Sequence, residues 1–401
     1  MKNITLTPEE QLVLAAMKLK PTAEELARME QLVAEVQDWN YCTRLAIDRG
    51  IGPLLNHKIP MLGNSHLIPT DTQARLQQSY LRTLARSMRL YEAFREVGTA
   101  LNKAGIKFVA LKGVYLAEAL YEDIGLRLFS DIDLLVAEED GERSLEVLRK
   151  VGYESPNKKL IISKFVEKNK EIVHYDPIVK GEVSVEIHIK LHRTTRDYHF
   201  NIPAMLANAV PAVIYDIPAH VLQPIDLIIH LCVHADKHFK QGHVQFTGYL
   251  DIINRLEKYD LSLNELLERC KMHQCEVPVM NQLSLLSEFC GLNYLPEQNN
   301  TTNNLKLKSS DIEQFLKIFR GEKIAGYHLA VTMNDYRRLG KPMQFFRYIW
   351  DIIHPDKTFM LYRYKIKNPA NYRVYYLVRY WEGAKALLKS VIAFIPRRKS
   401  V

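Results

Sequence analysis

Arg127-Leu128-Phe129-Ser130-Asp131-Ile132-Asp133-Leu134-Leu135-Val136 is the stretch on which the fold turns. A β-strand sends side chains i and i+2 to one face. Asp131 and Asp133 therefore emerge side by side from a run whose following members are apolar. Those apolar followers argue for a buried strand, where unpaired charge is costly. Two adjacent carboxylates repel each other unless a cation sits between them. Mg²⁺ prefers oxygen ligands and usually takes one or two carboxylates plus substrate phosphates. The pair reads as a metal-dependent phosphoryl-transfer site, provided the other parts of such a site lie nearby.

Two flanking stretches supply candidates. Ile106-Lys107-Phe108-Val109-Ala110-Leu111 is a short β-like run that meets Lys112-Gly113. A glycine at a strand-to-helix turn lets the backbone approach a phosphate, and the helix that follows offers free N–H groups and a positive dipole end. Lys112 adds a point charge; a purely structural Lys-Gly turn is the alternative. Downstream, Glu182-Val183-Ser184-Val185-Glu186-Ile187-His188-Ile189-Lys190-Leu191-His192 alternates strictly. Its valines, isoleucines and leucine take one face, and Glu186, His188 and Lys190 take the other. Either that polar face is simply solvated, or Glu186 stands beside the aspartates as a third metal ligand, with His188 and Lys190 near the phosphates.

Working outward, residues 114–123 and 142–151 read as helices, the second stopped by Gly152, and residues 170–175 and 183–191 read as strands. Residues 105–200 thus form a small α/β core. Residues 1–104 read as helical. Thr22-Ala23-Glu24-Glu25 is a capping box, and a long helical pattern over 71–104 stops at Gly105. Residues 201–335 read as a helical domain, broken by the polar run at 298–304. Residues 336–401 form a basic, aromatic-rich helical tail.

These pieces resemble the polymerase-β-like nucleotidyltransferase superfamily: a Gly-containing strand-to-helix turn, an Asp-x-Asp strand, and a third carboxylate on a later neighbouring strand. The closer resemblance is to a bacterial family of largely uncharacterised nucleotidyltransferases. It is carried by Gly105-Ile106, Leu111-Lys112-Gly113, Leu120-Tyr121, Arg127, the run from Asp131 to Val136, and Val185-Glu186-Ile187-His188. Asp226 to Leu231, Tyr249-Leu250-Asp251-Ile252 and, upstream, Ala46 to Leu55 extend it. Val114 departs from the superfamily, which usually has Ser or Gly directly after the turn glycine.

The resemblance implies an α+β fold, a small mixed-sheet core flanked by N- and C-terminal helical segments. It implies two Mg²⁺ ions (or Mn²⁺) held by Asp131, Asp133 and Glu186. Lys112, Gly113, Arg127, Ser130, His188 and Lys190 are the expected nucleotide contacts. The expected activity is transfer of a nucleoside monophosphate from an NTP, such as ATP, to an unidentified acceptor hydroxyl on a small molecule, protein or RNA. A non-catalytic nucleotide- or polyanion-binding module on the same fold is one alternative, suggested by Val114 and the tail. An Asp-x-Asp sugar-nucleotide glycosyltransferase is another, but it needs a larger nucleotide-binding domain than this core.

Composition narrows the setting. A chain of 401 residues with 47% hydrophobic and 25% charged residues is ordinary for a globular protein of two or three domains. No uncharged apolar run reaches the length of about 18 residues that marks a membrane span, and the N-terminus lacks a signal-peptide pattern. Five scattered cysteines suggest reduced thiols and a cytoplasmic protein. Cys270, Cys275 and His273 between them are too few for a closed zinc site. The net charge of +8 is concentrated: residues 336–401 hold 15 Lys/Arg against 3 Asp/Glu. That tail reads as solvated helix faces, as a polyanion contact or as a membrane contact. His230, His234 and His238 recur every four residues and share one helix stripe. They read as a metal site, as residues flanking the active site, or as structural.

Overall fold

The computed structural model describes residues 6–155, 173–192, 198–295 and 307–322, scattered positions between 350 and 366, and the stretch 368–394. Two compact units can be distinguished, one of residues 1–156, 172–239 and 243–321, the other of residues 157–171, 240–242 and 322–401.

The first unit opens with helices whose starts are written in sequence. Helices α1 (Pro8–Ala15) and α2 (Ala23–Glu35) both begin with reciprocal capping boxes, Thr7 with Glu10 and Thr22 with Glu25. Helices α3 (Trp39–Asp48) and α4 (Gly52–Lys58) are separated by Gly50, whose φ of 71° suits a residue without a Cβ. Helix α5 (Thr70–Lys103) is 34 residues long and is followed by Gly105 at φ 67°.

The expected α+β class is observed. The central elements are β1 (Phe108–Ala110), α6 (Gly113–Ala119), β2 (Asp131–Val136), α7 (Gly141–Lys150), β3 (Ile178–Lys180), β4 (Val183–His188), α8 (Ile202–Ala207), β5 (Val210–Ile214) and β6 (Ile217–Val221). The strands form a six-stranded mixed sheet in the order β3-β4-β2-β1-β6-β5. Strand β2 runs parallel to β4 and antiparallel to β1, and β1 runs parallel to β6.

Alternation gives the sheet two unlike faces. Ile132, Leu134, Val136, Val185 and Ile187 join the core built with Leu90, Tyr91, Phe94, Val97 and Leu101 of α5. The opposite face of the same two strands carries Asp131, Asp133, Glu186 and His188. Helices α9 (Pro224–Phe239), α10 (Phe246–Lys258), α11 (Leu263–His273), α12 (Glu276–Cys290) and α13 (Ser309–Arg320) follow.

Two expectations meet a different outcome. Of the strand expected at 170–175, positions 170–172 lie outside the described residues, and His174 makes a single bridge to His188. The edge strand is β3 instead, because Ile178–Lys180 pairs with Val183–Val185 across the Gly181 turn. Strands β5 and β6 arise where only helix was expected. Pro211 and Pro218 obscure their pattern, but the edge of a sheet tolerates proline, and Pro218 lies beyond the part of β6 that pairs with β1. Tyr215 and Asp216, at φ 48° and 64°, make the hairpin turn between them. The polar break at 298–304 lies outside the described residues.

In the second unit, helix α14 (Tyr375–Phe394) carries Tyr376, whose ring stacks on His354 at a centroid distance of 4.1 Å. The Tyr364 hydroxyl donates to Glu382 at 2.8 Å. Among the described residues no helix is long and apolar enough to cross a membrane.

Candidate active site

The site is built by strand register. Strands β2 and β4 are parallel, with Asp133 opposite Glu186 and Asp131 opposite Ser184. Matched positions on parallel neighbours point to the same face, so Asp133 and Glu186 stand side by side, with His188 two residues along β4. Ligand atoms of Asp133, Glu186 and His188 lie within 4.8 Å of one another, the arrangement among the described residues suited to a metal ion.

Both oxygens of Asp133 are engaged. Lys112 Nζ lies 2.9 Å from Oδ2, and His188 Nε2 lies 3.0 Å from Oδ1. His188 Nε2 is also 3.5 Å from Glu186 Oε2, and His174 Nδ1 is 3.8 Å from that same oxygen. Burial works against charge on Asp133, yet Lys112 and His188 hold its carboxyl well below the usual range. The hydrogen bond from His188 likewise lowers Glu186 against its burial. Burial opposes charge on Lys112 and on His188 too, but the carboxylates raise both above their ordinary values. Asp131 has no such partner. Burial, and then repulsion by Asp133, push its carboxyl up to about 6.

These residues fit a divalent cation. The donor set is hard and mostly oxygen. The ammonium of Lys112 and the imidazole of His188 sit beside the carboxylates, and burial with repulsion by Asp133 disfavours charge on Asp131.

The remaining predicted residues are placed differently. Gly113 starts α6. A Cβ there would come within 2.8 Å of Phe129 Cδ2 and 3.1 Å of Cβ and Cγ, so packing alone demands the glycine. Val114 is buried in the core, and its carbonyl accepts from the Tyr91 hydroxyl at 2.7 Å. Arg127 is buried and forks onto Asp251, with Nε 2.8 Å from Oδ1 and Nη2 2.5 Å from Oδ2. Tyr121 donates to Asp251 Oδ1 at 3.0 Å. The guanidinium therefore joins the β2 approach to α10, apart from the Asp133 cluster. Ser130 is exposed at the start of β2. Lys190 lines a cleft of about 630 Å³ beyond the C-terminal ends of β2 and β4, together with Glu138, His192, Tyr198 and Phe200.

The histidines of α9 divide. His230 is 2% exposed and neither ring nitrogen has a hydrogen-bond partner. Burial, with the nearby charges of Lys112 and His188, pushes it down to about 3, so it faces the site as a neutral ring. His234, His238 and His243 form a line: His234 Nε2 lies 3.0 Å from His238 Nε2, and His238 Nδ1 lies 2.6 Å from His243 Nε2. The two nitrogens of one ring point apart, so this line does not converge on a point as a metal site must. His273 is turned to the His199 carbonyl, 3.2 Å from Nδ1, and the Cys275 thiol donates to the Cys270 carbonyl.

Sequence reasoning did not find Asp251 as the partner of Arg127, nor His174 beside Glu186. Asp251 lies 124 residues from Arg127, and no local pattern joins them. The shared apolar setting of Leu120-Tyr121 and Tyr249-Leu250 was the available signal.

A family model described as uncharacterised nucleotidyltransferase matches residues 35–291, more than half of the chain. No curated protein matches the sequence.

Proposed function

The chain belongs to the uncharacterised nucleotidyltransferase family, and on that premise we propose that it transfers a nucleoside monophosphate from an NTP to an acceptor hydroxyl with Mg²⁺, or Mn²⁺ in its place. The observation that carries this reading is the register of Asp133 with Glu186 on parallel strands, with Lys112 and His188 closing the group. Asp131, Asp133 and Glu186 would hold the cations. Bound Mg²⁺ supplies charge that polarises the reacting phosphate and neutralises the pyrophosphate leaving group.

The chain's own residues set up that chemistry. Lys112 stays charged beside Asp133 and gives the phosphates an ammonium at the cluster. His188 bridges Asp133 and Glu186 and fixes their separation. His230, neutral and buried, closes the site with an uncharged wall. The fork between Arg127 and Asp251 anchors the loop that delivers Ser130 and Asp131. A cytoplasmic setting belongs to the same proposal, supported by five free, buried cysteines.

The test is transfer of α-labelled NTPs to cell-extract acceptors with Mg²⁺ or Mn²⁺. Wild type should release pyrophosphate and label an acceptor. Asp131→Asn and Asp133→Asn should each lose at least about 10²-fold, the usual scale for removing an electrostatic element of a transition-state clamp. Full activity in either variant would sink the assignment. A second reading, a nucleotide-binding module without turnover, is favoured by Phe129 closing over Gly113; it requires binding without pyrophosphate release in wild type. Release of a nucleoside diphosphate from a sugar nucleotide would point to a glycosyltransferase instead.

A further inference from the structure

Helix α5 carries Arg75, Arg82, Arg86 and Arg89. At 3.6 residues per turn these positions fall within about 60° of one another, so they form one stripe. Arg75, Arg82 and Arg86 line a groove of about 390 Å³ with Gln78, walled by Ile47 of α3 and by Leu128. None of the residues lining it is acidic. Arg75 contacts Asp71 and Asn40 at one end. Arg82 and Arg86 are exposed, and among the described residues neither has an ion-pair or hydrogen-bond partner. Two guanidinium groups one turn apart repel each other mildly, by about 0.2–0.5 kcal/mol, and an anion lying across them turns that repulsion into attraction. They stand one turn apart, about 6 Å along the axis, a spacing comparable with successive phosphates in an extended strand.

The groove also has a definite position. Leu128 precedes Asp131 by three residues, which limits their Cα atoms to about 11 Å. At the other end of the stripe, Arg89 pairs with Glu182 at 3.4 Å. Glu182 is two residues before Ser184, the register partner of Asp131. The arginine stripe therefore runs past the N-terminal ends of β2 and β4, where Leu128 and Glu182 lie. No aromatic ring lines the groove, so it offers nothing for bases to stack on, whereas guanidinium groups bind phosphate oxygens in forked pairs.

We propose that this groove binds the phosphate chain of a single-stranded oligonucleotide whose sugar hydroxyl is the acceptor. Its role as acceptor rests on the transfer reading above; the binding does not.

The test uses the full chain with chelator and without NTP. A short fluorescent oligoribonucleotide is titrated across a salt series, and tripolyphosphate is added as competitor. Binding should weaken with salt. In Arg82→Gln/Arg86→Gln the slope of log affinity against log salt should fall by about 1.4, two phosphate contacts at about 0.7 each for a single strand. Arg82→Lys/Arg86→Lys should keep the slope, since it keeps the charge. Thermal melts check that all variants fold, as expected for exposed positions. Resistance to tripolyphosphate at matched phosphate concentration is expected of a strand site, whereas displacement would identify a free polyphosphate, which carries no sugar hydroxyl, and would overturn the acceptor role. Failure of both probes to bind, or an unchanged slope in the glutamine variant, overturns the proposal. This readout involves neither metal nor turnover, so its failure leaves the transfer reading standing, and absence of transfer leaves the groove standing.

Discussion

Asp131 and Asp133 leave the same strand two residues apart, yet their surroundings treat them oppositely. Asp133 has an ammonium on one oxygen and an imidazole on the other. Asp131 has burial and a neighbouring carboxylate, which push its pKa from 3.8 to about 6. A carboxyl whose folded pKa lies above its unfolded value binds its proton more tightly in the native state, so stability falls as pH rises from about 4 to about 6. At neutral pH the metal-free protein carries that cost, on the order of 2 kcal/mol after allowance for residual solvent contact. Asp131→Asn removes it. In chelator near pH 7 the variant should unfold at higher urea than wild type, and below about pH 4 the two should coincide. Equal midpoints at neutral pH would show that Asp131 is not strained. The residue that disables transfer is thus expected to stabilise the apo fold, a trade commonly found at functional sites.

Among the elements, α5 does most to position the site, because its apolar stripe supports β2 and β4 from the face opposite the carboxylates. Gly98 shows how closely it packs. Alanine inside a helix normally gains about 1 kcal/mol over glycine. Here the added Cβ would meet Ile217 Cγ2 of β6 at 2.6 Å and Phe108 Cζ of β1 at 3.4 Å. Overpacking costs typically about 1–3 kcal/mol, so the clash wins. Gly98→Ala should destabilise by up to about 2 kcal/mol in urea unfolding, and in an Ile217→Ala background the same change should become neutral or favourable. A stabilising Gly98→Ala in the wild-type background would refute this account of the contact. The same element shows what sequence makes legible. The helix was readable because its apolar positions recur at a helical period and Gly105 stops it. Strands β2 and β4 were readable because their alternation is strict. The β5–β6 hairpin was not, because two prolines sit in its strands and its turn is Tyr215-Asp216 rather than Asn-Gly. The pairing of β2 with β4, which brings Glu186 to Asp133, is a tertiary fact that neither strand states alone. So is the capture of Arg127 by Asp251.

Across the first unit, helices from opposite ends of the sequence are tied together, and the ties reach outside the matched span of 35–291. Asn254 of α10 accepts from the Leu19 amide at 2.6 Å and donates to the Met17 carbonyl at 2.9 Å. Arg49, which caps the C-terminus of α3, donates to the Phe319 carbonyl of α13 at 2.7 Å. Another tie joins α1 to α13, where Arg320 forks onto Glu10 at 2.6 and 2.9 Å and the Tyr41 hydroxyl donates to Glu10 at 2.9 Å. Glu10 is 1% exposed. Burial alone would raise its pKa, but Arg320, the Thr7 amide and Tyr41 together hold it below its ordinary 4.5. A carboxylate depressed in the folded state adds stability above its unfolded pKa and loses it as pH falls through the folded value. Glu10→Gln keeps the shape but removes the charge from those hydrogen bonds, which are typically worth about 1.5–3 kcal/mol when one partner is ionised. The variant should therefore be less stable than wild type by roughly that amount at neutral pH. Below about pH 4.5 the gap should close as Glu10 in wild type takes up its proton. Urea unfolding at neutral, mildly acidic and strongly acidic pH measures it. A gap that stayed constant into strong acid would mean that the contribution of Glu10 is packing rather than charge, and α1 would then be held to α13 by its apolar contacts alone.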